Sequence, residues 1–287
     1  MRIAIPLMFA LGLAAAAPAV AQAAGVAVSY NIDVGPLTVS VVKFSVDVSG
    51  SEVHSRARIK PAGMSRVFSE FGATADAETR FEGAAPQPVS YKIVRDHSDK
   101  RKVTTVDWNG ATATYDPPID NPDRKAKVDS ALAAGAVDPV TAVLRMGTEG
   151  VNPCSSKHRV FDGREVYELA LTDNGKGKLD GDDVAWNGPV ERCSVRWTPV
   201  AGRQADNGVP GDSYDVAFAP VADLDNGRKL WLPVEMSGSL KGLSFRGYIT
   251  KLDSKAKDPT RCTPPSGPPT DEYVRECARA YPIEAEK

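Results

Sequence analysis

Residues 102–116 read KVTTVDWNGATATYD. Asn109-Gly110 sits between two runs rich in β-branched and aromatic residues, and Asn-Gly supplies the positive φ angles that a type I′ hairpin turn requires. The stretch therefore predicts two antiparallel strands. The same grammar recurs along the chain. Asn226-Gly227 repeats it in DLDNGRKLWLPV, and VSGSEV and SLKGLSF read as looser hairpins.

Alternation of apolar and polar residues, the strand signature, dominates elsewhere. It predicts strands at 26–34, 52–60, 65–72, 77–82, 89–95, 101–108, 111–116, 165–171, 192–199, 213–219, 229–237 and 242–252. In PLTVSVVKFSVDV (36–48), Leu37, Val39 and Val41 share one face, whereas Phe44, Val46 and Val48 share the opposite parity. One extra residue resets a period of two, so a β-bulge is expected at Val41-Val42. About fourteen strands joined mostly by short turns predict a mainly β fold: an antiparallel open barrel, half-barrel or β-spiral.

Helix is confined to two places. A helical insertion is expected at about 122–147. In its second half Asp138 caps the N-terminus, Pro139 takes the first helical position, Val140, Val143 and Leu144 form an apolar stripe, and Gly147 stops the helix. A Pro-rich linker, KAKDPTRCTPPSGPPT, leads into TDEYVRECARAYP. That tail reads as a short helix capped by Thr270 or Asp271 and ended by Pro282. The expected organisation is one β-rich domain over 24–255, with the linker and terminal helix over 256–287.

Residues 1–23 fit a secretory signal peptide. One positive charge (Arg2) precedes a short apolar run and then small residues, with Ala19-Val20-Ala21 and Ala21-Gln22-Ala23 as cleavage patterns. No cysteine follows the cleavage region, so no lipid anchor is expected there. No later segment approaches the ~20 apolar residues of a membrane-spanning helix. The formal net charge is -2, and removal of Arg2 makes it -3. This near-neutral balance excludes the strongly basic signature of a nucleic-acid binder.

Export gives the four cysteines a context, because disulfides persist in oxidising compartments. Cys154, Cys193, Cys262 and Cys277 allow three connectivities. Cys154 lies four residues before His158, which raises a Cys–His nucleophile. The segment holds Pro153 and strand-like residues, and no cysteine-hydrolase signature surrounds it. A structural Cys154–Cys193 disulfide is the expectation. Cys262 and Cys277 flank a Pro-rich turn and a short helix and would staple the tail to itself; the crossed pairings are less economical.

No other catalytic pattern is present: no G-x-S-x-G, no Gly-rich phosphate loop and no H-E-x-x-H. His54, His97 and His158 are scattered, so neither catalytic nor metal-ligating residues are assigned and no cofactor is expected. DNGKGKLDGDD (173–183) is reminiscent of a calcium loop. It fails the EF-hand template, with Gly175, Gly177 and Val184 at ligand positions, and reads as a Gly- and Asp-rich loop between strands. Trp108, Trp186, Trp197, Trp231, Phe44, Phe245 and Tyr248 fit an ordinary β core, or the lining of an apolar cavity.

Taken in order, YNIDVGPLTVSVVKFSVDV, VDWNGATATYDPP, VDPVTAVLRM, NPCSSKHRVFDGREVYELAL, RCSVRWTPVAGR and WLPVEMSGSLKGLSFRGYITKL resemble an exported bacterial family catalogued as domain of unknown function 3108. The most specific pieces are D-P-x-[ST]-A-x-L at 138–144 and P-C followed by F-D-G-R at 153–164. The resemblance covers about residues 28–252 and leaves out the segment with Cys262 and Cys277. It implies a periplasmic protein with a β-rich open barrel or spiral, similar in shape to lipoprotein carriers and envelope-integrity proteins. It implies no catalytic residues.

The function expected from these readings is that of a non-enzymatic envelope protein binding an apolar or amphipathic ligand, a lipid or lipoprotein, in a barrel-like cavity. A scaffold or interaction protein without a cavity is the alternative, and a side-chain-filled interior would favour it. An exported hydrolase would need a tight cluster of titratable residues in one cleft.

Overall fold

The structure, a computed structural model, describes residues 24–254 apart from 64–70, 84, 98–99, 149–151, 225–228 and 241. The signal segment, most of the strand expected at 65–72, the Asn226-Gly227 turn, and the C-terminal linker and helix with Cys262 and Cys277 lie outside the described residues.

The first half of the chain builds β1 (Ala24–Val34), β2 (Leu37–Ser49), β3 (Glu52–Pro61), β4 (Gly72–Glu82), β5 (Ala85–His97), β6 (Lys100–Asn109) and β7 (Thr112–Asp116). Two helices follow, α1 (Pro122–Ala133) and α2 (Pro139–Thr148). The second half builds β8 (Lys157–Phe161), β9 (Val166–Leu179), β10 (Gly188–Ala201), a single turn α3 (Arg203–Asp206), β11 (Asp212–Asp223), β12 (Lys229–Leu240) and β13 (Leu243–Asp253).

All thirteen strands form one antiparallel sheet in the order β7-β6-β5-β4-β3-β2-β1-β13-β12-β11-β10-β9-β8. Two meanders are thus joined through β1 and β13, and β7 and β8 are the two ends of an unclosed sheet. Helices α1 and α2 are inserted in the chain between these two ends.

The hairpins follow from local chemistry. Asn109 pairs with Thr112, so the loop is Gly110-Ala111, one residue later than Asn109-Gly110. Gly110 has φ +60°, which the first loop position of either a I′ or a II′ turn requires. Gly35, Gly50 and Gly83 hold the same place with similar angles in the β1–β2, β2–β3 and β4–β5 hairpins.

Two expectations need correction, and one strand was not expected. The β2 irregularity lies at Val39, between the pairs Ile32↔Ser40 and Asp33↔Thr38, and not at Val41-Val42. Pairing of β2 with β3 runs without a shift from Ser40 to Ser49, so Val41 stays on the face opposite Phe44, Val46 and Val48. Residues 173–179 are not a loop: they extend β9 and pair with β10 out to Leu179↔Gly188. They lack alternation because most of them are exposed, and their strand geometry comes from the partner. β8 was not anticipated from the sequence, because a five-residue run gives too little periodicity.

The core lies on the inner face of the sheet. Val26, Val46, Ser55, Ala77, Tyr91, Val106 and Tyr115 are successive cross-strand partners from β1 to β7. Helix α2 packs within this curl and contacts β4 and β5 on one side and β8 and β12 on the other. Val140 joins the cluster of Tyr91, Val106 and Phe161. Leu144 joins the valines of β1 to β3. Ala142 and Met146 join Cys154, Cys193 and Phe218. Buried side chains on several sides make α2 a core helix, with Arg145 reaching out to the Pro86 carbonyl and Gln87. The stripe expected from Val140, Val143 and Leu144 is only part of its buried surface.

Gly147 does not stop α2, which continues to Thr148. It allows a close approach instead, since a β-carbon there would lie 2.1 Å from the Trp231 carbonyl oxygen.

Candidate functional site

The two most specific motifs converge at the seam between the sheet ends. Val137 forms a bridge to Val160, its N–H donating to the Arg159 carbonyl (3.0 Å) and its carbonyl accepting from the Phe161 N–H (2.8 Å). The next residue, Asp138, is completely buried. Its Oδ1 accepts from the Val140 and Thr141 N–H groups at 2.9 and 2.8 Å, the helix cap anticipated from the sequence. Its Oδ2 accepts from the Thr141 hydroxyl. Thr141 Oγ1 in turn lies 2.9 Å from Thr79 Oγ1 on β4. Burial pushes the Asp138 carboxyl up to about 6, against the lowering effect of these hydrogen bonds.

Asp162 approaches from the opposite sheet end. Its Oδ1 accepts from the Arg164 and Glu165 N–H groups at 3.0 and 2.9 Å, which shapes the turn into β9. Its Oδ2 lies 3.7 Å from Arg95 of β5. Gly163, at φ +92°, rests against β6, where a β-carbon would fall 2.2 Å from Thr104 Cγ2. Phe161 meets Tyr115 of β7 edge to face, with ring centroids 5.2 Å apart. The sheet ends are therefore joined by side chains, not by strand pairing.

Two tyrosines complete this polar region. Burial raises the pKa of Tyr91 and of Tyr167, with Asp138 and Asp162 adding to the rise in both. His158 is buried on β8, and burial, with Arg145 second, pushes it down to about 4. Among the described residues, its Nε2 has no hydrogen-bond partner.

The cysteine question resolves on geometry. Cys154 and Cys193 are bonded, with Cα atoms 5.1 Å apart, and both are buried. The bond joins the turn before β8 to β10 across the intervening β9. Among the described residues, no thiolate stands beside His158. The carboxylates of Asp138 and Asp162 instead hold backbone N–H groups that fix the seam. Among the described residues, no three His, Cys, Asp or Glu side chains gather as a metal site.

The aromatic residues are divided among several environments. Trp108 donates to the Ala136 carbonyl at 3.3 Å, Trp197 packs against Tyr167, and Tyr248 lies 4.6 Å beneath the Arg246 guanidinium. Trp186 and Trp231 pack against different clusters.

A shallow depression that sequence reasoning missed lies on β9 to β12. It has a volume of about 260 Å³ and includes Asn174, Arg192, Asp215, Glu235 and Ser237. Pairing puts Ser194, Asp215 and Ser237 in register, on the face opposite Cys193 and Val216. Asp215 accepts from Ser194 at 3.0 Å, and Glu235 accepts from Arg246 at 2.8 Å. These residues come from four strands, so no local motif marks them. Among the described residues, no helix is long and apolar enough to cross a membrane.

No curated protein matches the chain. A solved β-barrel-like protein of domain of unknown function DUF1849 from Brucella abortus is similar at 10% identity and a TM-score of 0.42. That similarity covers 80% of this chain and 97% of the other. Residues 29–215 match the family described as "Protein of unknown function (DUF3108)", and the chain belongs to that family.

Proposed function

We propose that the protein is an exported, non-enzymatic scaffold or interaction protein of the bacterial envelope, acting through its outer surface. One observation carries this reading. Helix α2 occupies the inside of the curled sheet, with side chains in all three apolar clusters. The space that a lipid would take in a carrier is packed with Val140, Ala142, Leu144 and Met146. The seam groups support a structural role for the same reason, since Asp138 and Thr141 are fully buried and bonded to each other. The N-terminal segment and the Cys154–Cys193 disulfide support export to an oxidising compartment.

The competing reading is a lipid or lipoprotein carrier, which requires α2 to move. Native mass spectrometry of protein purified gently from its own periplasm separates the two. The expected spectrum shows a chain shortened by the signal segment, both cysteine pairs oxidised, and no added mass. A stoichiometric retained lipid would reverse the choice in favour of the carrier. A free or modified Cys154 would reopen the hydrolase.

A further inference from the structure

The strand register assembles a basic row on the outer face of the sheet. Ser29 of β1 pairs with Lys251 of β13 on one side and with Lys43 of β2 on the other. Lys43 pairs in turn with Arg58 of β3. Cross-strand partners share a face, and these alternate with Val28 and Phe44, which pack into the core. Lys60 lies two residues beyond Arg58, on the same face and opposite Val41.

Lys43, Arg58, Lys60 and Lys251 are all exposed, and among the described residues none forms an ion pair. The neighbouring row of the same face, Asp253, Ala27, Ser45, Arg56 and Asp76, carries the acids, and Asp76 pairs with Arg56 there; the row of Lys251, Lys43 and Arg58 holds none of its own. Lys251 and Arg58 are three strand spacings apart, roughly 14 Å.

Like charges directly opposite on neighbouring strands destabilise a sheet. Lys43 and Arg58 stand in that relation, with no carboxylate between them. The chain as a whole carries a formal net charge of -2, so the row is a local segregation of charge. Half-buried Val41 sits within it. A face with four unpaired cations and an apolar residue between them complements a plane of anionic headgroups. One charged residue on a ligand would leave most of the row unmatched.

From this charge pattern we infer that the outer face of β13-β1-β2-β3 docks on the surface of an anionic phospholipid bilayer. The inference rests on the outward-acting reading above and adds what that surface meets. Binding is peripheral, through side chains on one face of the sheet. It weakens with salt, because exposed charges are screened beyond about 8 Å at physiological ionic strength.

The test is co-sedimentation of the full mature chain with vesicles of phosphatidylcholine containing one quarter phosphatidylglycerol. Wild type is compared with Lys43→Gln/Arg58→Gln/Lys60→Gln. A control, Lys100→Gln/Arg101→Gln/Lys102→Gln, removes the same charge from β6. Each basic residue near an anionic surface multiplies affinity by about five, so the first triple variant should bind about a hundredfold more weakly. The control should bind close to wild type, and pure phosphatidylcholine vesicles should not bind.

Thermal melting shows whether the variant is folded. Lys43→Gln alone should raise the melting temperature at low salt by removing the like-charge pair. Equal loss in both triple variants, no binding to anionic vesicles, or binding to soluble polyphosphate but not to vesicles would overturn the inference. Failure to bind vesicles by a protein of unliganded native mass rejects only the docking face. Extraction of lipid into a one-to-one complex rejects the packed-interior reading instead.

Discussion

Gly147 of α2 lies against the backbone of Trp231 in β12, and a β-carbon would stand 2.1 Å from its carbonyl oxygen and 3.1 Å from its carbonyl carbon. Backbone cannot rotate aside as a side chain can. Gly147→Ala should therefore force α2 away from β12 and cost about 3 kcal/mol, the upper end for overpacking. Urea unfolding measures this directly. A change below about 0.5 kcal/mol, the range of neutral surface substitutions, would mean that α2 is not wedged. A carrier whose helix moves readily would tolerate the alanine.

Cys154 and Cys193 are 39 residues apart in sequence. The chain-entropy account assigns such a loop about 4 kcal/mol. Cys154→Ser should lower stability by that order and leave one thiol. Because Cys193 is buried, it should resist a thiol reagent in the native state and react once the protein is opened with denaturant. If Cys193 stayed unreactive in unfolded Cys154→Ser protein, it would be bonded elsewhere and the pairing would be wrong.

The legible parts of this fold were the ones with local causes. The hairpin read from Asn109-Gly110 has its cause within a few residues, although its loop starts one residue later, at Gly110, and Asp138-Pro139 announces a helix start through its own cap. The Cys154–Cys193 disulfide was readable because the export expected from residues 1–23 would change what a cysteine does. The rest depends on partners far along the chain. Residues 173–179 have no strand pattern and are strand because β10 pairs with them. Gly147 looked like a helix stop because a glycine signals both an end and a close approach, and only Trp231 decides between them. Lys43, Arg58, Lys60 and Lys251 become neighbours through four strands, which no composition reveals.

Two buried groups make opposite contributions to pH dependence. Asp138 is raised in the folded protein from 3.8 to about 6, so its contribution is complete below pH 4 and is lost as pH rises through 6. His158 is lowered from 6.5 to about 4, so its contribution is present above pH 6.5 and is lost as pH falls toward 4. Each amounts to about 3 kcal/mol, and across pH 4 to 6 they oppose each other. His158→Leu should therefore gain stability relative to wild type as pH falls from 6.5 to 4. Asp138→Asn, which keeps an acceptor for the cap, should lose stability relative to wild type over the same fall. Denaturant unfolding of the three proteins at several pH values checks both signs. Parallel curves would show that neither group titrates as its burial implies.

The seam gives the last prediction. Gly163 is at φ +92°, and its missing β-carbon would lie 2.2 Å from Thr104 Cγ2 and 3.6 Å from Val106 Cγ2. Gly163→Ala thus carries two penalties, backbone strain in the left-handed region and a clash with β6. Strain of that kind costs about 1–2 kcal/mol, and the clash adds about as much again. Thr104→Ser removes the clashing methyl and leaves the strain. The double variant should therefore recover part of the loss but not all of it. Contacting residues commonly couple by 0.5–3 kcal/mol, so a double-mutant cycle resolves the interaction. Simple additivity would mean that the turn after Phe161 does not rest on β6. In that case Arg95, 3.7 Å from Asp162, and Tyr115, packed on Phe161, would be the contacts that hold the two sheet ends together.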